Sequence, residues 1–242
     1  MSQQESQSQH ISGQFDAELE AVKKNLMEMG GLVEQQISRA VDALLKRDSG
    51  EAAAIRKIEP SVNDMEVQID EDCSRILARR QPAASDLRLV LAIIKITTDL
   101  ERIGDEANKI AKQTIKLSEA HAIGDSSRYV EIRHIGTHVT SMLRKVLDAF
   151  ARLDVDAALE VMVDDQTVDS QYKQAMRSSV TFMMEDPRTI GGVLNEMWSL
   201  RSLERVGDHA CNIAEQVVYL TSGQDVRHVD TQQLLEQFGQ DS

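Results

Sequence analysis

The sequence predicts an all-α protein built as two tandem three-helix bundles related by an internal pseudo-two-fold duplication. Three observations carry that prediction. The first is a phrase written twice: residues 99–111 read DLERIGDEANKIA and residues 202–214 read SLERVGDHACNIA, an offset of 103 positions with eight of 13 letters identical. Unrelated windows of that length share about one, so the chain is internally duplicated. The second is apolar spacing that alternates 3 and 4 through nearly the whole chain, the pattern of long helices packed on helices. The third is composition: 41% hydrophobic but 3% aromatic, with ten methionines and only three prolines. Aliphatic chains with few breakers form bundles.

The first helical run carries Phe15, Leu19, Val22, Leu26, Met29 and Val33 and ends near Arg47. Gly30-Gly31 weakens its middle and predicts a bend there. Asp48-Ser49-Gly50 reads as a turn and a start signal for the second run, Ile55 to Ile76. Pro60 lies inside that run and predicts a kink just before it. Gln81-Pro82 breaks the helix, and Ser85 is placed to cap the next. The third run is the most regular, Leu89 through Leu117. Residues 120–127, with Gly124-Asp125-Ser126, read as the joint between halves. A fourth helix follows from Ile132 to Leu153, a fifth from about Asp156 to a stop at Pro187, and a sixth enters at Gly191-Gly192. The expected domains are a flexible arm 1–13, bundles at 14–119 and 128–221, and a tail 222–242.

The chain has 27 basic and 40 acidic residues, a formal net charge of −13. That field repels phosphate backbones and anionic lipid, so no nucleic acid is expected as a partner, whereas cations are favoured. No stretch of 18 apolar residues reads as a membrane span, and the polar N-terminus has no signal-peptide pattern. Cys73 and Cys211 stand alone in helical patterns, without the spacing of a disulfide framework or a thiolate zinc site. The reading is a cytoplasmic protein.

The repeated phrase keeps polar letters that a bundle needing only apolar filling has no reason to keep. With Leu100 and Ile103 on the bundle seam, Glu101 and Asp105 fall on the side away from it, one turn apart. Glu204 and Asp208 stand identically relative to Leu203 and Val206. Like charges at that spacing repel by about 0.2–0.5 kcal/mol unless a cation lies between them. The preceding helices carry a related spacing, Asp165-Gln-Thr-Val-Asp169 in the second half and Glu59-Pro-Ser-Val-Asn63 in the first. Facing helices then bring four oxygen-bearing side chains together per bundle, ligands suited to magnesium, manganese, calcium, or iron and zinc with carboxylates.

Gly104 and Gly207 sit beside the seam, where a neighbouring helix must approach closely to justify about 1 kcal/mol of lost helix propensity. Arg102 and Arg205 read as ion-pair partners of Asp or Glu on an adjoining helix, with an anion bound beside a metal as the alternative. His209 could supplement the second site, and His134 and His138 are spaced one turn apart. Glu131-x-x-His134 is half of a di-iron ligand set whose other half is missing. Trp198 reads as a packing residue. There is no nucleophile–base pair, P-loop or dinucleotide fingerprint.

At Leu100-Glu-Arg-Ile-Gly-Asp105 and Leu203-Glu-Arg-Val-Gly-Asp208, with the carboxylate spacing on the preceding helices, the chain resembles the PhoU family over roughly residues 14–221. The resemblance implies two three-helix bundles, usually in homodimers, with a multinuclear metal cluster on the surface of each. Its ligands would be Glu59, Glu101 and Asp105 in the first half, and Asp165, Asp169, Glu204 and Asp208 in the second. The ions would be di- or trivalent: iron, zinc, manganese or magnesium. Asn63 in place of a carboxylate, Pro60, and Lys109 in place of Asn212's counterpart imply a weaker first site. The resemblance further implies a non-enzymatic negative regulator of the phosphate-starvation response. It would link the ATPase of an ABC phosphate transporter to a phosphate-sensing histidine kinase, meeting the membrane only through those partners. An accessory protein of another phosphate permease, or a plain carboxylate-bridged metal protein, are the alternatives.

Overall fold

The computed structural model describes residues 3–82, 84–119 and 128–238, and of these the side chains from residue 13 onward except that of Arg128. The expected joint at 120–127 lies outside the described residues. Helix α1 spans Gln3–Lys46, α2 Ser49–Ile55, α3 Glu59–Arg80 and α4 Ala84–Glu119. In the second half, α5 spans Arg128–Arg152, α6 Val155–Glu185, α7 Ile190–Ser222 and α8 Thr231–Phe238. Pro187–Thr189 form a single 3₁₀ turn between α6 and α7. No strand occurs among the described residues.

The duplication is visible in the turns as well as in the helices. Arg47 and Leu153 both take positive φ, and the aspartate after each, Asp48 and Asp154, caps the next helix. Asp48 accepts from the Glu51 backbone N–H at 2.9 Å, and Asp154 from that of Ala157 at 3.0 Å. Each satisfies one of the orphan donors of a first helical turn.

Three expectations are corrected. Pro60 does not kink a continuous helix: the run splits into α2 and α3, and Pro60 sits in the first turn of α3. Proline lacks an amide hydrogen and clashes with the preceding turn, so it is tolerated where no N–H is needed. Helix α1 runs without a break through Gly30-Gly31, and Gly30 lies against Leu147 of α5. Helix α1 also begins at Gln3, ahead of the expected arm boundary. The tail is not left free of the core: Val226 and Leu234 are buried, and α8 packs on α6.

Within the first half α1, α3 and α4 pack together, and within the second α5, α6 and α7. The most extensive helix–helix contact, however, joins the halves along α4 and α7, and α1 also packs on α5. Contacts from Lys95–Tyr219 through Asp99–His209 to Glu106–Arg205 show α4 and α7 running antiparallel. The buried apolar residues therefore form one continuous core rather than two. Any two-fold that exchanges antiparallel helices stands normal to their plane. Equivalent positions on α4 and α7 thus face the same side of the molecule.

Candidate metal centre

In the second half α6 and α7 are neighbours, and Gly207 lets them close. A Cβ there would lie 3.0 Å from Asp165 Oδ1 and 3.5 Å from Val168 Cγ1. At Gly104 the same construction meets Gln36 at 3.3 Å and Val62 at 3.4 Å. Close approach is therefore the reason for both glycines.

That approach brings Asp169, Glu204 and Asp208 together, with one carboxylate oxygen of each within 4.8 Å of the others. Glu204 is 8% exposed, so the expectation that both α7 carboxylates turn into solvent is corrected: Glu204 is covered and Asp208 reaches water. Arg201 Nη1 donates to Glu204 Oε1 at 2.6 Å, while Glu204 Oε2 is buried without a protein partner. Asp165 lies behind these three, against Gly207. Burial, reinforced by Asp208, Asp169 and Glu204, pushes its carboxyl from 3.8 up to about 7. Burial also raises Glu204 and Asp208, each further raised by neighbouring carboxylates.

Carboxyls this crowded either hold protons or share a cation. An orphaned buried oxygen facing two more carboxylates is a donor set for a hard or borderline ion. The residues fit such an ion: Asp169, Glu204 and Asp208 would hold it, with Asp165 as a fourth oxygen donor behind.

The first half departs in detail. Glu101 is raised by burial, then by Asp105, Glu66 and Glu59. Glu66, which the sequence reading missed, is raised by burial and by Asp70 and Asp105. Glu59, Asn63, Glu66 and Asp70 recur at helical spacing on α3, and that stripe was the available signal. Glu59 itself is occupied: Asn108 Nδ2 donates to Glu59 Oε2, and Arg56 Nε donates to Asn108 Oδ1 at 3.2 Å. Among the described residues, three ligand atoms come within 4.8 Å of one another only at Asp169, Glu204 and Asp208.

Other sequence candidates fall elsewhere. His209 is turned away from the acids: its Nδ1 lies 2.9 Å from Asp99 Oδ1 in the buried α4–α7 seam. Asn212 Nδ2 donates to the same oxygen at 3.1 Å, and Arg205 Nε meets Glu106 Oε1 at 3.1 Å, the cross-helix pairing expected of that arginine. Arg102 is exposed. His138 Nε2 lies 3.7 Å from Asp164 Oδ1, and His134 lines a shallow cavity with Glu131, Gln171 and Gln174. Both cysteines are free. Trp198, expected in the packing, is 62% exposed.

The comparison with family models decides the kinship, because the PhoU domain model matches twice, at residues 26–114 and 132–217. This chain belongs to the PhoU family. It is 57% identical over 238 residues to the phosphate-specific transport system accessory protein PhoU homolog of Pseudomonas aeruginosa, covering 98% of this chain and 97% of that one. It is 47% identical over 226 residues to the phosphate-specific transport system accessory protein PhoU of Escherichia coli K12, covering 93% and 92%. The crystal structure of PhoU from Pseudomonas aeruginosa superposes with a TM-score of 0.84 at 58% identity, covering 87% of this chain and all of that one. That of the phosphate transport system regulatory protein PhoU from Streptococcus pneumoniae gives 0.81 at 30% identity, covering 88% and 99%. The all-α class is thus that of solved PhoU-family structures, and no described helix is long and apolar enough to cross a membrane.

Proposed function

We propose that this chain is a non-catalytic regulator of phosphate uptake, acting in the cytoplasm as an adaptor that represses the phosphate-starvation response. It would link the ATPase of an ABC phosphate transporter to a phosphate-sensing histidine kinase, and work as a homodimer. The observation that carries the reading is kinship along nearly the whole chain with accessory proteins of phosphate-specific transport. An assembly of long helices with extended outer faces suits an adaptor, and its charge of −13 is unsuited to nucleic acid.

The carboxylate clusters are proposed metal sites. Asp165, Asp169, Glu204 and Asp208 would hold a di- or trivalent ion such as iron, zinc, manganese or magnesium. Glu101 and Asp105, with Glu59 drawn toward Asn108 and Glu66 alongside, form the weaker counterpart. A bound ion supplies positive charge that relieves carboxylate repulsion. The residues of α6 and α7 supply the oxygens and fix the spacing of the two helices.

Deletion of the gene in phosphate-replete cells tests the regulatory reading, with a starvation-regulon reporter as readout. The expected result is constitutive expression. Unchanged repression in the deletion strain would refute it.

A further inference from the structure

The outward face of the α6–α7 hairpin does not end at the carboxylates. Five large apolar side chains stand in solvent on the same hairpin: Val180 and Met184 on α6, and Ile190, Leu194 and Trp198 on α7, with Met184 80% exposed. The register of the hairpin follows from Asp165 against Gly207 and from the Arg201 guanidinium 5.9 Å over the Tyr172 ring. Continued toward the turn, that antiparallel register sets Val180 opposite Leu194 and Met184 opposite Ile190. On α7, Ile190 and Leu194 precede Glu204 and Asp208 by two heptads, a drift of only about 40° around a straight helix. The acidic groove thus runs into an apolar strip, with the Arg201–Tyr172 contact at the joint.

On a strongly acidic protein the rim of the strip is locally balanced in charge, and a single base among the described residues stands unpaired in it. Lys173, Arg188 and Arg201 pair with Asp169, Asp186 and Glu204. Arg177, on the Val180 and Met184 side of α6, has no acid partner among the described residues. Glu185 lies on a different side of α6 from Val180, about 140° around the helix. The exposed apolar area is roughly 500 Å², the size of a functional patch on a monomer. That is short of the ~800 Å² per partner of a stable interface, so the strip suits a reversible contact better than a permanent one. The duplication sharpens the point. The first half keeps Leu87 and Leu91 at the counterparts of Ile190 and Leu194, but has Lys95 for Trp198 and Ser74 and Ala78 for Val180 and Met184. Only the second bundle carries the full strip.

We propose that the α6–α7 tip docks an amphipathic helix of a partner protein, its apolar stripe on Leu194 and Trp198 and an acidic flank facing Arg177. Ile190, Leu194 and Trp198 recur every four residues, a ridge about 6 Å in period that packs between the apolar anchors of another helix. That this contact carries regulation rests on the reading of the preceding subsection; the docking itself does not.

Trp198 is the only tryptophan, so its fluorescence reads the surface directly. The probe is a tryptophan-free synthetic helix with a leucine stripe and glutamate flanks, compared with its lysine-flanked isomer. The dilute protein alone is expected to emit as a solvent-exposed indole. The glutamate peptide is expected to shift that emission to the blue, with at least about tenfold tighter binding than the lysine isomer. Arg177→Glu should reduce that preference, and Leu194→Ser should abolish the shift with melting temperature and metal titration unchanged. Emission already blue in the dilute protein would mean that the chain covers its own strip. A blue shift produced by raising protein concentration alone would mean a second copy covers it. Either result, or indifference to both peptides, overturns the proposal. In cells, repression lost in the deletion strain but kept in a Leu194→Ser strain overturns the regulatory use of the strip and leaves the adaptor reading standing.

Discussion

Asp165 makes the carboxylate cluster measurable without knowing which ion it takes. Its carboxyl is raised from 3.8 to about 7, first by burial and then by Asp208, Asp169 and Glu204. A carboxyl with a raised folded-state pKa binds its proton more tightly in the native state than in the unfolded chain. Its contribution to stability is therefore fully present below about pH 4 and is lost as pH rises through about 7. Between about pH 5.5 and pH 8, linkage at this single site predicts a loss of about 2 kcal/mol in chelated protein. For a domain of this size, that is about 4–8 °C in melting temperature. Asp165→Asn removes the titrating group while keeping the shape, so the slope should flatten and the variant should melt above wild type at the higher pH. Adding a divalent ion should restore wild type at pH 8, where carboxylates are free to ligate, and should help the variant less. The assay is thermal denaturation followed by circular dichroism at both pH values, with chelator and then with excess manganese or zinc. A chelated wild type with equal melting temperatures at the two pH values, or an Asn variant with the same slope, would refute the reasoning.

Three further outcomes are expected. Gln36 is fully buried in α1, and neither of its amide atoms has a hydrogen-bonding partner in the protein, while the residue in the corresponding place near Gly207 is Met142. Gln36→Met should then raise stability by about 1–3 kcal/mol, read as an increase in denaturant midpoint at constant slope; a lower midpoint contradicts it. Gly207→Ala sets a methyl 3.0 Å from Asp165 Oδ1, against 3.3 Å to a flexible amide for Gly104→Ala. Calorimetric titration should show the first weakening metal binding and the second leaving it nearly unchanged, and equal effects would disprove the close-approach account. Glu204→Ala with Asp208→Ala should abolish the tighter metal isotherm while the apo fold survives, whereas Glu101→Ala with Asp105→Ala should cost less metal, since Asn63 already removes one carboxylate. Identical isotherms for wild type and the Glu204/Asp208 variant would leave the face merely solvated.

What the sequence determined by itself was local and periodic. Heptad spacing specified long helices because burial of an apolar stripe recurs every three or four residues, and the doubled Leu-Glu-Arg-x-Gly-Asp placed the carboxylates one turn apart on each third helix. The glycine beside the seam foretold a close neighbour and Asp48-Ser49-Gly50 a turn and helix start, whereas Ser85, read as a cap, lies inside α4. These features concern residues within a few turns of one another. The tertiary structure decided whatever depends on which helix lies alongside. Glu204 became buried because α6 and Arg201 close over it, while Asp208 on the same face stayed in water. His209 was taken from the acids by Asp99, a residue 110 positions away across the α4–α7 seam. Glu66 entered the first cluster because α3 faces α4, although no doubled motif marked it. Trp198, the residue most readily assigned to a core, stands in solvent, since the periodicity shows that a stripe exists but not whether a neighbour covers it. Periodicity is a property of one helix; burial and charge pairing are properties of two.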